Sequence, residues 1–417
     1  MLVATTQTSI GTIILLVAVA IAVVYAFVNI RQGRAEVGSE IELAPNRKPY
    51  LSDEELEGRK LDRTLSYGLL GLIVLGVGLP LYWLGEPGRQ ENAEGNIARQ
   101  FRDRGADMYA TTEEGGFNCA FCHGPDGGGA STPYTITDAE GRFVKEVQWQ
   151  GPALNTIFLR HTRDEIRYIL EYGRLHTPMP AWGAAGGGPL TEQQLQNLID
   201  YMESFQLGAT PGEELDIVEA SRLSQEQVDE QLAVMMERKD PTCVAARTEA
   251  AQADLTEEEL ADFDPESVDT DDCPDMWKSE GEALFNMGYD DGFAGGAYAC
   301  GRCHTPGWSY GEKGEDGAGA MGPPLTGVLT QFPGETLGRQ QQIDFVCQGS
   351  TDGARYGQYG QGSGKMPGFC VVPEVRLNPD NGEVGITPRD AGLPEHGGMF
   401  SQEQVEAIVD YTRSFAR

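Results

Sequence analysis

Basic residues are scarce in this chain. Lys and Arg together number 31 against 64 Asp and Glu, for a formal charge of −33. So acidic a chain has no cationic face for a phosphate backbone, which excludes nucleic acid as a partner. The acidity either steers a basic protein partner into contact or serves solubility in a salty habitat. Histidine is scarcer still, at 5 in 417 residues. Long apolar runs are few and overall hydrophobicity is ordinary, which excludes a polytopic membrane protein; the length suggests two or three domains.

Two runs without charge stand out, Ile10–Ile30 and Tyr67–Leu84, of 21 and 18 residues. Each is long enough to cross a bilayer core as a helix. No Lys or Arg precedes the first, and it is too long for the apolar region of a signal peptide, so it reads as a retained anchor. Between the runs lie Arg31, Arg34, Arg47, Lys48, Arg59, Lys60 and Arg63. Positive charge near span ends marks the cytoplasmic side. The pattern predicts a helical hairpin over residues 1–90, with both ends outside and a short cytoplasmic loop. The alternative for Tyr67–Leu84 is a buried core helix. Glu86-Pro87-Gly88-Arg89 reads as a stop and turn.

The chain holds eight cysteines. Four sit in Cys119-Ala-Phe-Cys122-His123 and Cys300-Gly-Arg-Cys303-His304. The other four, Cys243, Cys273, Cys347 and Cys370, form an even remainder that suggests two disulfides in an oxidising compartment. The simplest pairing is local, Cys243 with Cys273 and Cys347 with Cys370.

The two motifs lie in repeats. Leu190-Thr-Glu-Gln-Gln-Leu-Gln-Asn-Leu-Ile-Asp-Tyr-Met-Glu-Ser-Phe205 aligns without a gap to Phe400-Ser-Gln-Glu-Gln-Val-Glu-Ala-Ile-Val-Asp-Tyr-Thr-Arg-Ser-Phe415. Each segment starts with a hydroxyl N-cap, Thr191 or Ser401, and continues with one apolar face. Upstream, Gly105-x-x-x-Tyr109 matches Gly281-x-x-x-Phe285, where a small residue lets two helices approach. Such duplication organises the chain into residues 95–207 and 275–417. Gly208–Pro274 separates them, with 20 acidic and 4 basic residues. That composition favours a solvated connector, with one helix capped by Ser224 and followed by Val228, Leu232 and Met235. The second copy carries an insertion between Cys370 and Leu393 that reads as a loop.

In Cys-x-x-Cys-His, positions i, i+3 and i+4 share one helical face. Two thiols there can bond the two vinyl groups of one porphyrin while the imidazole beside them reaches the iron, the arrangement of c-type haem attachment. The competitors are a redox dithiol and half of a zinc site. A dithiol needs neither a second copy nor a following His, and one zinc site built from both motifs would bridge 181 residues. A sixth iron ligand comes from Thr177-Pro178-Met179-Pro180 in one repeat and Gly364-Lys365-Met366-Pro367-Gly368 in the other. A Met sulfur favours reduced iron. Rivals are His176 for the first site and Met321 or Met399 for the second. His161, His176 and His396 otherwise read as surface histidines. Gly151-Pro152-Ala153-Leu154 and Gly322-Pro323-Pro324-Leu325 follow their motifs at similar distance. A carbonyl there can accept the imidazole Nδ1–H and orient the ring, or the segments are simple turns.

The order of helix, Cys-x-x-Cys-His, Gly-Pro-x-Leu, middle helix, Met-Pro loop and final helix resembles the class I cytochrome c fold in both repeats. The resemblance implies a mainly α chain in which an N-terminal two-helix transmembrane hairpin precedes two class I cytochrome c domains. It implies two covalently bound haem c, on Cys119, Cys122 and His123 and on Cys300, Cys303 and His304. His123 and Met179, and His304 and Met366, would ligate the iron, with Pro152 and Pro323 as the orienting carbonyls. The second repeat departs in Thr305, where the first has Gly after its motif.

Tandem domains behind a membrane anchor are similar to the dihaem subunit of cbb-type haem–copper oxidases and to the dihaem subunit of actinobacterial menaquinol–cytochrome c reductases, whose membrane helix instead follows the haem domains. A freestanding anchored shuttle is the third such arrangement. Subunit II of haem–copper oxidases shares an N-terminal hairpin, but its copper-binding Cys-x-x-x-Cys is missing here. The resemblance implies electron transfer in a respiratory chain, between a quinol–cytochrome c reductase and a haem–copper oxidase, from the outer face of the cell membrane, with no catalytic residue and no small-molecule substrate. A dihaem peroxidase needs one iron with an open position, whereas both repeats offer a sixth ligand. A subunit draining electrons from a periplasmic dehydrogenase is the other alternative.

Overall fold

The structure is a computed structural model that describes residues 16–17, 19–21, 23–28, 30–31, 57–174, 177–210, 215–253, 255–350, 366–370 and 397–416. His176, His396, most of the first apolar run and the insertion after Cys370 lie outside the described residues. The chain divides into two compact units, Met1–Glu91 and Asn92–Arg417.

In the first unit, Val19–Val28 is helical and apolar. The second apolar run belongs to helix α1, Arg59–Tyr109, whose apolar residues such as Leu70, Ile73 and Leu81 are exposed. Among the described residues it is the one helix long and apolar enough to cross a membrane. Glu86–Arg89 does not end it, contrary to the turn expected from sequence: α1 runs on through Pro80 and Pro87 to Tyr109. Pro87 removes one backbone donor. Its neighbours form pairs within a turn: Arg89 with Glu86, and Gln90 with Glu86 at 3.1 Å.

The second unit is mainly helical. After α1 come α2 (Cys119–His123), α3 (Arg163–Tyr172), α4 (Glu192–Ser204), α5 (Ile217–Met236), α6 (Pro241–Gln252), α7 (Glu257–Ala261), α8 (Glu280–Asn286), α9 (Cys300–His304), α10 (Val328–Gln331), α11 (Arg339–Gln348) and α12 (Gln402–Arg413). A two-stranded antiparallel sheet, β1 (Ala130–Thr137) with β2 (Phe143–Gly151), interrupts the helices. Sequence reading placed no strand there. Its turn is local chemistry: Asp138 Oδ1 accepts from Glu140 N and Arg142 N, and Gly141 takes φ 78°.

The repeat is geometric as well as sequential. Thr191 caps α4 and Ser401 caps α12, each in a reciprocal box with the Gln three residues on. Leu195, Leu198, Ile199 and Met202 are buried in one repeat, Val405, Ile408 and Val409 in the other. Arg163 of α3 pairs with Asp200 of α4, and Arg339 of α11 pairs with Asp410 of α12 at 2.6 Å. Gly105 lies where a Cβ would stand 2.1 Å from Asn197 O, and Gly281 where it would stand 2.1 Å from Ala407 O. No side chain fits at either crossing. Tyr109 packs against Tyr201 and Phe205, and Phe285 against Tyr411 and Phe415.

The connector differs from the solvated segment expected. Helix α5 begins at Ile217, capped by Asp216, whose carboxylate accepts from Val218 N and Glu219 N. Ser224 is therefore mid-helix, not a cap: it is fully buried, and its hydroxyl lies 2.8 Å from Tyr298 Oη. Ser221 Oγ donates to Gly397 O at 2.7 Å, and Ala220, Val228 and Met235 join the core of the second repeat. The acidic residues occupy the outer face, so the composition hides an apolar stripe. Both disulfides form, Cys243–Cys273 and Cys347–Cys370.

Gly105→Ala and Gly281→Ala should each destabilise the protein by about 1–3 kcal/mol through overpacking against backbone. Gly128→Ala, where nothing lies within 4 Å of the added carbon, serves as the neutral control. Denaturant unfolding that leaves all three variants alike would show that the helix crossings tolerate a side chain.

Candidate functional site

Each Cys-x-x-Cys-His forms one short helical turn. Asn118, in a left-handed conformation at φ 69°, turns the chain into α2, and Ala299 leads into α9. The following chain locks the turn. His123 O accepts from Gly129 N at 2.8 Å, and Tyr109 Oη donates to Gly124 O at 2.8 Å. In the second repeat His304 O accepts from Gly319 N at 2.9 Å, and Cys303 O from Gly322 N at 2.6 Å.

The imidazoles are held by backbone. His123 Nδ1–H donates to Pro152 O at 2.8 Å, and His304 Nδ1–H donates to Pro323 O at the same distance. A carbonyl only accepts, so the proton is on Nδ1 and the Nε2 lone pair is left for a metal. Burial lowers both histidines from their ordinary value, His123 to about 4, against the raising effect of the proline carbonyl. Both rings are thus neutral at pH 7, the state a metal needs.

The glycine before each proline has its own reason. A Cβ on Gly151 would stand 1.9 Å from Cys122 O, and one on Gly322 2.7 Å from His304 Cε1. Only glycine lets this segment come close enough for the next carbonyl to reach the ring.

The Met loops share a clasp that sequence reading missed. Gly173 ends α3 at φ 70° and Gly349 ends α11 at φ 74°. A Cβ on Gly173 would stand 2.7 Å from Met179 O, and one on Gly349 2.6 Å from Met366 O. The next residue completes the clasp: Arg174 N donates to Met179 O at 3.0 Å, and Ser350 N to Met366 O at 2.9 Å. Each Met amide in turn donates to a nearby hydroxyl, Met179 N to Thr177 Oγ1 at 3.2 Å and Met366 N to Ser350 Oγ at 2.9 Å. In the second repeat Cys347–Cys370 adds a covalent tie between α11 and this loop. The signal available in sequence was a Gly at the end of the middle helix in both copies.

Met179 packs against the core of the first repeat, and Met366 against the core of the second. Among the rivals, Met321 is exposed and Met399 is fully buried beside Phe400. His161 is not the surface residue expected: it is 5% exposed, with Nε2 3.2 Å from Arg174 and Nδ1 3.5 Å from Glu165. Burial lowers it to about 4.

The donors fit haem c. None of the four motif cysteines is disulfide-bonded. Burial raises Cys119 to about 11 and Cys300 to about 12, opposite to the low values of redox dithiols. Among the described residues no group of three or more His, Cys, Asp or Glu is placed to hold a metal ion. What remains is a pair of thiols flanking a neutral imidazole, with a thioether in a clasped loop.

Residues 103–206 match the family model described as Cytochrome c. The match supports a c-type cytochrome and haem-based electron transfer, and it implies covalently bound haem c in that domain. No curated protein and no solved structure matches the chain.

His161 makes stability depend on pH. Below its ordinary value of 6.5 the unfolded chain takes up a proton that the folded one refuses until about 4. Stability should therefore fall as pH drops through that window, by at most about 3 kcal/mol from this group. His161→Gln should flatten the slope between pH 6.5 and 4 in urea unfolding; parallel slopes for variant and parent would contradict it. Glu165, Arg160 and Arg174 face the ring and remain in both proteins.

Proposed function

We propose that this chain is a membrane-anchored dihaem c-type cytochrome that passes single electrons in a respiratory chain, between a quinol-oxidising complex and a terminal oxidase. The observation that carries the dihaem reading is the repetition of one site: in each repeat an imidazole bonded to a proline carbonyl, two free thiols on the same turn, and a Met held by a glycine-ended helix. Cys119 and Cys122 would attach one haem, with His123 and Met179 as axial ligands. Cys300 and Cys303 would attach the other, with His304 and Met366. Bound haem c supplies a one-electron iron couple.

The protein's part would be to hold an imidazole and a thioether in place for each haem. The proline carbonyls set the imidazole orientation, and the clasps set the sulfurs. A Met and a His both held for one iron would favour electron carriage over a reaction at an open iron, which is why the peroxidase alternative is the less favoured reading. A subunit accepting electrons from a periplasmic dehydrogenase shares every one of these features; the preference for the respiratory chain rests on the resemblance of the whole arrangement.

The anchor reading rests on the apolar stretch of α1 and on the uncharged run before it. Two spans with the basic loop in the cytoplasm put both haem domains on the outer side of the cell membrane. The excess of acid over base suits a basic partner protein.

Replacing Met179 or Met366 by Ala should remove the near-infrared sulfur-to-iron band of one haem and leave the other. If each variant keeps both bands, the axial assignment is wrong. Carbon monoxide should bind the reduced parent poorly, and stoichiometric binding would instead favour the enzyme. Protease added to intact cells should cut the haem domains; protection of both would overturn the topology.

A further inference from the structure

The two repeats treat one carboxylate differently. Gly127 and Gly317 stand in equivalent places. A Cβ on Gly127 would lie 2.4 Å from the ring of Phe205, and one on Gly317 2.3 Å from that of Phe415. Each glycine carbonyl accepts from a leucine amide at 2.7 Å, Leu154 N in one repeat and Leu325 N in the other. The residues just before them, Asp126 and Asp316, are therefore counterparts. Two residues separate His123 from Asp126, whereas eleven separate His304 from Asp316. The second repeat thus carries an extra segment between its motif and this aspartate.

Asp126 is exposed. The side chain of Asp316 is only 16% exposed, and four groups surround it. Tyr411 Oη donates to its Oδ2 at 2.7 Å, and Asn286 Nδ2 donates to the same oxygen at 3.2 Å. Lys313 Nζ stands 3.1 Å from Oδ1, and Thr305 Oγ1 stands 3.5 Å from it. Lys313 comes from the extra segment. The rings of Trp277 and Tyr289 face its ammonium at 5.6 and 5.4 Å and hold it in place. Burial and the Asp316 carboxylate raise the Tyr411 hydroxyl, so it keeps its proton and donates. The exchange of Gly124 for Thr305 belongs to the same arrangement. In the first repeat Tyr109 Oη reaches Gly124 O. In the second, Phe285 replaces Tyr109 and has no hydroxyl, and Thr305, buried next to His304, turns its own hydroxyl toward Asp316.

A carboxylate fixed beside a metal site favours the more positive metal, and the effect grows where water is kept away. We propose that Asp316 sets the potential of the second haem site: its enclosed carboxylate lowers the reduction potential there, while its exposed counterpart Asp126 leaves the first site nearly untouched. The proposal rests on the reading of both motifs as haem sites. Among the described residues Asp316 bonds to no motif cysteine or histidine, so it acts through space and is no ligand. Lys313 opposes it, and the balance of the pair fixes the size of the effect. The difference between the sites favours passage of an electron from the second haem to the first.

The test uses the full-length protein with its haem attached. Two haems per chain are confirmed first, together with two axial-methionine methyl signals in the NMR spectrum of the reduced protein. Each signal is assigned by its loss in Met179→Ala or Met366→Ala. A parent short of a haem or of either signal defeats the site reading itself, separately from this proposal. Redox titration followed on the two signals then reads the haems one by one. Asp316→Asn should shift the second haem at least threefold toward its reduced form, about 28 mV on a scale of 59 mV per tenfold change. Asp126→Asn should shift the first haem less than that. Lys313→Gln should move the second haem the other way, toward its oxidised form. A second haem unmoved in Asp316→Asn would overturn the proposal. So would a shift in one direction by both Asp316→Asn and Lys313→Gln, which is what a merely structural role produces. An equal response of the first haem to Asp126→Asn would overturn it as well. Should Asp316→Asn fail to accumulate, Lys313→Gln decides: a shift toward the oxidised form supports the proposal, and no shift overturns it.

Discussion

An imidazole that must keep Nε2 free has to commit Nδ1–H to something rigid, and in both repeats that is a proline carbonyl at 2.8 Å. Much of the nearby backbone follows from this bond. The carbonyl must come within reach of a buried ring, so the residue before the proline cannot carry a side chain, and Gly151 and Gly322 stand there. The motif helix must stop at once, so that the chain can return beneath it. In the first repeat the returning chain is the end of β2, which also supplies Gln150 O to Arg302. The bond that orients one ring thus fixes the edge on which the other repeat docks.

Features local in sequence were legible before any coordinates. The Cys-x-x-Cys-His motifs, the final helices with their caps and apolar faces, and the paired Gly105 and Gly281 all lie within a few residues of the signal that reveals them. The disulfide pairs were legible because each joins the nearest available partners, 30 and 23 residues apart.

What escaped was set by contacts between distant segments. Gly173 and Gly349 look like ordinary helix ends until the Met loop is seen to press on them. Ser224 looks like a cap, since hydroxyls favour that place, but Asp216 lies eight positions earlier with a stronger acceptor, and Tyr298 takes the serine hydroxyl. His161 looks exposed because its neighbours are Arg and Thr; Arg174 and Glu165 meet its ring only in the folded chain. The β1–β2 hairpin did have a local signal, Tyr134, Ile136, Val144, Val147 and Trp149 around an Asp-Ala-Glu-Gly turn. A comparison of the copies does not reveal it, because the second copy has no such hairpin among its described residues.

The eight cysteines meet two different fates in one chain. Four are joined to each other, and four remain as thiols three residues from a companion. Proximity alone would oxidise the wrong set, because Cys119 and Cys122 are far closer in sequence than Cys347 and Cys370. Maturation of this protein is therefore a sorting problem in time. For the adjacent thiols to take haem as proposed, they would have to stay reduced while folding brings the distant ones together.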